Sequence, residues 1–239
     1  MANKRTEQYD DITDVFANHP EIKFMNHGYY PIDHRFSKHD QGPSATLYSL
    51  FLDRATSNTK ILDIGCGRGG GSEIAKHYYN FSEIHACDLH QGNLSFCKQN
   101  ISGVEFKISD AESLAEYDRD YFDYAINIES SHCYTSLENF YSSVRRILRP
   151  SGTFFYADIF SKIDSADSRL DNFFVIKDKI DLTKNVVYSC RHYVNKLSTS
   201  NKFIDRAHAF LYNLFKEKAE LYQSRKGLFI GYVLEKNSV

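Results

Sequence analysis

The sequence predicts an α/β protein with a parallel sheet covered by helices on both faces. Three observations predict it. From Lys60 to Phe160, short apolar runs alternate with helical stretches. A glycine-rich loop, "ILDIGCGRGGGS", joins the first run to the helix after it and holds five of the chain's 12 glycines. An acid, Asp88, ends the second run 18 residues after Gly70.

The elements follow in order. "EQYDDITDVFAN" reads as an amphipathic helix that ends before His19-Pro20. "FMNHGYYPIDHRFSKHDQGP" carries turn and aromatic residues without a period. Ser44 to about Ala55 is helical, with Leu47, Leu50 and Phe51 at helical spacing. "KILDIG" is a strand and "GGGSEIAKHY" opens a helix. "EIHACDL" and "VEFKISD" are strands on either side of the helix "QGNLSFCKQN". A turn or short helix crosses "AESLAEY", and "FDYAINIES" is the fourth strand. The helix after Thr135 carries Leu137, Phe140, Tyr141, Val144, Ile147 and Leu148 on its apolar face and stops at "RPSG". "TFFYADIF" is the fifth strand. "SKIDSADSRLD" is a polar break, and "FFVIKDKIDL" a further strand. Helical stretches near Thr183–Leu197 and Asn201–Ser224 precede a closing strand, "GLFIGYVLEK".

Composition narrows the function. The 239 residues suffice for a sizeable core, with 42% hydrophobic and 25% charged residues. The formal net charge of -2 offers no basic excess for nucleic-acid binding. No apolar run is long enough to insert in a membrane, and "MANKRTEQYDDITDVF" lacks a signal-peptide core. Five scattered cysteines without a C-x-x-C pair argue against a disulfide framework or structural zinc. The expectation is a reduced, cytoplasmic protein. Asp33, His34, His39 and Asp40 crowd "DHRFSKHD"; a solvated loop is the expectation there, with no metal.

Gly65, Gly67 and Gly70 satisfy G-x-G-x-x-G between a strand and a helix. That pattern brings main chain close to a ligand at a helix N-terminus. It suits a dinucleotide or another adenosine-containing cofactor. Three further features separate the two: Asp63, which makes D-x-G-x-G; Ser109-Asp110-Ala111 after the third strand; and the cap with a terminal strand after the fifth.

At these residues the sequence resembles the class I, Rossmann-like S-adenosylmethionine-dependent methyltransferases, from about Phe24 to the C-terminus. "ILDIGCGRGGGS", "ACDLH", "SDAESL" and "RILRPSGTFFYADIF" resemble the family's first motif, ribose acid, adenine segment and entry to the fifth strand. "FMNHGYYP", "NIESSHCY", "YADIF" and "IDLTKNVVYSC" resemble the small-molecule subgroup, which includes sugar and polyketide O-methyltransferases, phthiotriolone-type enzymes and tocopherol-type C-methyltransferases. The resemblance implies a doubly wound, mostly parallel seven-stranded sheet with the last strand antiparallel. It implies a helical arm or lid (1–43), a cofactor-binding core (44–161), a substrate cap after the fifth strand (162–225) and a terminal strand (226–239).

It also implies S-adenosylmethionine as cofactor, held by Tyr29, Tyr30, Asp63, Gly65, Cys66, Gly67, Asp88, Leu89, Asp110, Ala111, Asn127 and Glu129. Gly69, Gly70 and Gly71 are expected to serve helix packing. Plain structural roles stand beside these: an N-cap for Asp88, a turn cap for Asp110, core packing for the tyrosines. His132 at the end of the fourth strand is the candidate base, with Asp158 orienting it or binding substrate; the alternative is a pocket-lining histidine. Cys133 is expected to be a neutral liner, and Tyr188, Arg191 and His192 face either substrate or solvent. The expected reaction is methyl transfer to a small-molecule hydroxyl. Transfer to carbon or nitrogen, a cyclisation that only binds the cofactor, a nicotinamide-dependent oxidation and a partner-binding subunit are the alternatives. Aromatic residues on the cap suit a homodimer.

Overall fold

The computed structural model describes residues 15–16, 18–32, 42–161, 163–199, 206–224 and 226–237. Most of the first expected helix and the whole of "DHRFSKHD" lie outside them; Val15 and Phe16 are helical.

The first strand, β1 (Lys60–Ile64), is apolar and buried on both faces, as a central parallel strand must be. On one side it pairs with β2 (Glu83–Asp88), which pairs with β3 (Glu105–Ile108). On the other side it pairs with β4 (Phe122–Ile128) and then β5 (Leu148–Phe160). These pairs are parallel. The last strand, β7 (Leu228–Lys236), inserts antiparallel between β5 and the edge strand β6 (Phe174–Asp181). The order is β3-β2-β1-β4-β5-β7-β6, seven strands with the last antiparallel. Chain direction across the sheet reverses between β1 and β4, which opens a crevice at their C-terminal ends.

Alternation along β5 divides the core. Phe154 and Tyr156 face α4 (Leu137–Ile147), among Phe140, Tyr141, Val144 and Tyr232. Phe155 and Ala157 face the other layer, with α1 (Pro43–Leu52), α2 (Gly70–Tyr78), α6 (Thr183–Thr199) and α7 (Arg206–Gln223). Pro43 opens α1, where its missing N–H costs nothing. Ser136 caps α4 by accepting the Asn139 N–H at 3.2 Å. A smaller cluster packs α3 (Gln91–Asn100) on β2 and β3 through Cys66, Ala86, Leu94, Cys97 and Phe106.

Three local expectations are corrected. Helix α4 ends at Ile147, before "RPSG", because Leu148 already pairs with Phe122 as strand. The chain then bulges, with Ser151 at φ +60°, and rejoins β4 at Thr153 opposite Tyr124. Leu148 therefore packs from the strand. The "polar break" contains a helix, α5 (Ile163–Leu170), which buries Ala166 and Leu170. The 162–225 segment is not wholly a cap, since β6 within it forms the sheet edge; α6 and α7 form its helical part. No described helix is long and apolar enough to cross a membrane. All five cysteines are free.

Candidate cofactor and acceptor site

The register places Asp63, Asp88, Glu129 and Asp158 along one sheet edge. Asp63 pairs with Ala86 and Ile126, and the Glu129 N–H donates to the Ala157 carbonyl at 2.8 Å. The loop after β1 turns back on itself. Gly65 and Gly67 hold φ of +66° and +53°, which a side chain would strain. A Cβ on Gly65 would stand 2.2 Å from Ser130 Oγ and 2.9 Å from the Tyr134 hydroxyl. Gly70 and Gly71 instead lie against the rings of Phe24 and Tyr48, a packing role.

Asp88 ties this loop to the next. Its Oδ2 accepts the Gly67 N–H and its Oδ1 the His90 N–H, both at 2.8 Å. Burial raises its pKa, partly offset by those bonds. The N-cap of α3 is His90, whose ring accepts the Asn93 N–H; Asp88 does not cap it. Leu89 beside it is 55% exposed. Ile108, also exposed, pairs with Asp88 across the sheet, and the sequence reading missed it. Asp110 is exposed and accepts the Glu112 N–H at 2.9 Å, an Asx turn; Ala111 is buried behind it.

Asp63 is 3% exposed. Its Oδ2 accepts the Ser72 hydroxyl at 2.7 Å, while Oδ1 has no hydrogen-bond partner among the described residues. Burial pushes its pKa up to about 7. Asn127, fully buried, donates to the Ile64 carbonyl (2.9 Å) and the Tyr134 hydroxyl (3.0 Å), and its Oδ1 is likewise unpartnered there. Unpaired buried acceptors are costly, so two beside one glycine loop are well placed to receive a donor. Cys66 and Cys97 both direct their thiols at the Gly67 carbonyl. Hydrogen bonding to Cys97 and burial keep Cys66 protonated, as a small filler.

The arm meets the loop through residues not singled out from the sequence. Met25 Sδ lies 3.3 Å from where a Gly67 Cβ would be. Arg68, buried, donates to the Ile22 (2.7 Å) and His19 (3.0 Å) carbonyls and covers the Phe96 ring. Glu129, at φ +56°, accepts the His27 N–H at 2.8 Å and pairs with His27 Nδ1, both side chains buried. The Tyr222 hydroxyl on α7 also meets that ring nitrogen. Tyr29 packs in the α1 layer, its N–H on the Pro43 carbonyl. Tyr30 donates its N–H to the Asn185 carbonyl at 3.3 Å, its own carbonyl accepts the Asn185 side-chain amide at 3.0 Å, and its ring sits 5.3 Å from His192. On α6, burial lowers the His192 pKa, Arg191 reaches Gln223, and Tyr188 is exposed.

At the end of β4 a 3₁₀ turn (Ser131–Cys133) brings His132 onto Asp158. The ring's Nδ1 meets Asp158 Oδ1 at 2.7 Å, and the His132 N–H meets Oδ2 at 3.0 Å. Asp158 is 1% exposed. It also accepts Ser131 Oγ at 2.5 Å and the Ile159 N–H at 2.7 Å. Burial works to raise the Asp158 pKa, but the bonds and charge of His132 outweigh it and hold the group ionised. Burial likewise opposes charge on His132; the Asp158 bond, with Cys133 beside the ring, reverses that and lifts its pKa to about 11. The His132 side chain remains 35% exposed.

Residues 62–156 match the methyltransferase domain family. A fatty-acid O-methyltransferase of Mycolicibacterium smegmatis is 32% identical over 155 residues, 60% of this chain and 55% of that one. A phthiotriol/phenolphthiotriol dimycocerosates methyltransferase of Mycobacterium leprae is 33% identical over 166 residues, 63% and 61% of the two chains. The chain spans little more than half the length of the curated relatives it matches. Among solved structures, the [4+2]-cyclase SpnF superposes with a TM-score of 0.78 at 17% identity, over 96% of this chain and 94% of that one. Geranyl diphosphate C-methyltransferase of Streptomyces coelicolor gives 0.70 at 14% identity, over 95% and 97%. The domain match, the relatives and the sheet order agree: residues 62–156 match a methyltransferase domain, and the chain has the class I, Rossmann-like methyltransferase fold.

Proposed function

We propose that the chain moves the methyl group of S-adenosylmethionine to a hydroxyl oxygen of a small, lipid-like molecule. The observation that carries this reading is the pair of unpartnered buried oxygens, Asp63 Oδ1 and Asn127 Oδ1, beside a glycine loop with no room for a side chain. They suit the α-ammonium of the cofactor, and the main chain of Gly65, Cys66 and Gly67 its methionine and ribose portion. Asp88 takes the ribose hydroxyls on its remaining lone pairs. Leu89 and Ala111 flank the adenine, with Asp110 at its amino group. Glu129 contributes by holding His27, and Tyr29 and Tyr30 by closing the arm over the sheet edge. When bound, the cofactor supplies a methyl group made electrophilic by the sulfonium.

The protein aligns the acceptor oxygen with that methyl group and excludes water. His132 stands at the acceptor side, oriented by Asp158, as candidate base for a hydroxyl proton. The arm and the α6–α7 cap cover the acceptor. The relatives named for fatty-acid and phthiotriol substrates support a lipid-like acceptor.

Calorimetric titration with S-adenosylhomocysteine tests the cofactor. Micromolar binding, weakened about tenfold or more in Asp88→Asn, is expected. Binding of NAD in its place would overturn the reading. A second reading, cyclisation without methyl transfer, is favoured by the superposition on SpnF over nearly the whole chain. Turnover of a true substrate without release of S-adenosylhomocysteine would select it.

A further inference from the structure

Helix α6 contains no acid. Its 17 residues carry Lys184, Arg191 and Lys196, in a chain whose net charge is -2. All three cations are exposed, and so are Tyr188, His192 and Asn195. These six positions recur every three or four residues, so they form one stripe along the helix. The opposite face, with Val186, Ser189 and Cys190, is buried. Arg191 has a neutral partner, the Gln223 side-chain oxygen at 2.8 Å. The helix packed beside it, α7, does not cancel the stripe, because its Glu217 and Glu220 are matched by Lys216 and Lys218. Asp181, just before α6, accepts the Thr183 N–H at 2.9 Å.

The arm completes this surface. Tyr30 is bonded to Asn185 and its ring stands beside His192. Tyr188 lies between those two contacts, three residues after one and four before the other. Ile32 follows two residues along the arm. Five large apolar side chains are exposed among the described residues. Leu89 and Ile108 belong to the β2–β3 end of the cofactor site and Val175 to the edge strand; the other two, Tyr188 and Ile32, are both here. Cations interleaved with exposed aromatic and aliphatic groups suit a surface that is anionic outside and apolar beneath. A second copy of the chain suits it poorly, since a two-fold contact would set cations against cations. We propose that the α6 stripe and the arm dock on the anionic headgroups of a lipid bilayer. Lys184, Arg191 and Lys196 meet the phosphates, and Tyr188 and Ile32 sit at headgroup level. The cap then faces the layer from which a lipid-like acceptor is drawn. That purpose rests on the proposed function; the docking itself requires no methyl transfer.

The test is flotation of the full chain with vesicles, with neither cofactor nor acceptor. Phosphatidylcholine vesicles containing phosphatidylglycerol are expected to carry the protein, those of phosphatidylcholine alone much less, and added salt to weaken the binding. Each cation at such a surface is worth roughly fivefold. The triple variant K184Q/R191Q/K196Q should therefore bind on the order of a hundredfold more weakly, while K184R/R191K/K196R binds like the parent. K76Q/K98Q/K177Q removes three exposed lysines elsewhere, and thus the same net charge, and should bind nearly as the parent does. Tyr188→Ser should weaken binding several-fold at every salt concentration. Unchanged melting temperatures verify that the variants fold. Equal binding to both kinds of vesicle, or equal losses in the two glutamine triples, would overturn the proposal. So would capture by soluble poly-glutamate as strong as by vesicles and indifferent to Tyr188→Ser, the behaviour of a site for an acidic protein. S-adenosylhomocysteine binding without vesicle binding would strike the docking and spare the methyltransferase reading; the reverse result would strike only that reading.

Discussion

Substitution of Gly65 by alanine separates close approach from mere flexibility in the glycine loop. Two costs add at this position. An L-residue at φ +66° loses roughly 1–2 kcal/mol. The new Cβ also meets Ser130 Oγ at 2.2 Å, Ser130 Cβ at 2.9 Å and the Tyr134 hydroxyl at 2.9 Å. Those atoms have little room to yield, because Ser130 and Tyr134 are bonded to each other at 2.8 Å and Tyr134 to Asn127. Overpacking of this kind costs about 1–3 kcal/mol. The total is about 2–5 kcal/mol, a fall of roughly 6–15 °C in Tm for a chain of this size. Gly67→Ala is the control. Its φ of +53° carries the same backbone cost, but its nearest neighbour is the flexible end of Met25 at 3.3 Å, so a fall of about 1–2 kcal/mol is expected. Urea unfolding of the ligand-free chains measures both. Ser130→Ala should restore part of the stability of Gly65→Ala and none of Gly67→Ala. Equal stability of the two glycine variants would refute the reasoning.

Asp63 makes stability depend on pH. Its pKa is about 7 folded, against an ordinary 3.8, so the folded state holds a proton that the unfolded chain releases. The contribution is full below pH ~4 and is lost as pH rises through about 7. Asp88, raised in the same direction by burial, adds to the slope. Asp63→Asn should flatten unfolding free energy between pH ~4 and ~7; an unchanged slope would assign the effect elsewhere. His27→Ala removes the partner of buried Glu129 and of the Tyr222 hydroxyl. A loss of about 3 kcal/mol is expected, with faster proteolytic cleavage between residues 18 and 32. Unchanged cleavage would mean that the pair does not hold the arm.

Much of this architecture was legible in the chain because its signals are short-range. β1 reads as a central strand from five residues, four of them buried. Asp63, Asp88 and Asp158 stand where apolar runs end, so a parallel sheet must bring them to one edge. Helix α5 was hidden because its eight residues are mostly polar and bury little. The "RPSG" break misled because proline and glycine signal an interruption without saying whether helix or strand surrounds it.

The sequence by itself determined the alternation of elements, the parallel core and the acids at its edge, since each depends on residues a few positions apart. Only the tertiary structure decided how those acids are used. His27 reaches Glu129 across 102 positions, and Arg68 reaches the His19 carbonyl across 49. Asp158 holds four hydrogen bonds at once, with Ser131, Ile159 and both the backbone and the ring of His132, and Ser131 and His132 lie 27 and 26 positions away. No local pattern encodes such a count. It arises when strand ends from different parts of the chain are packed side by side and water is removed from between them.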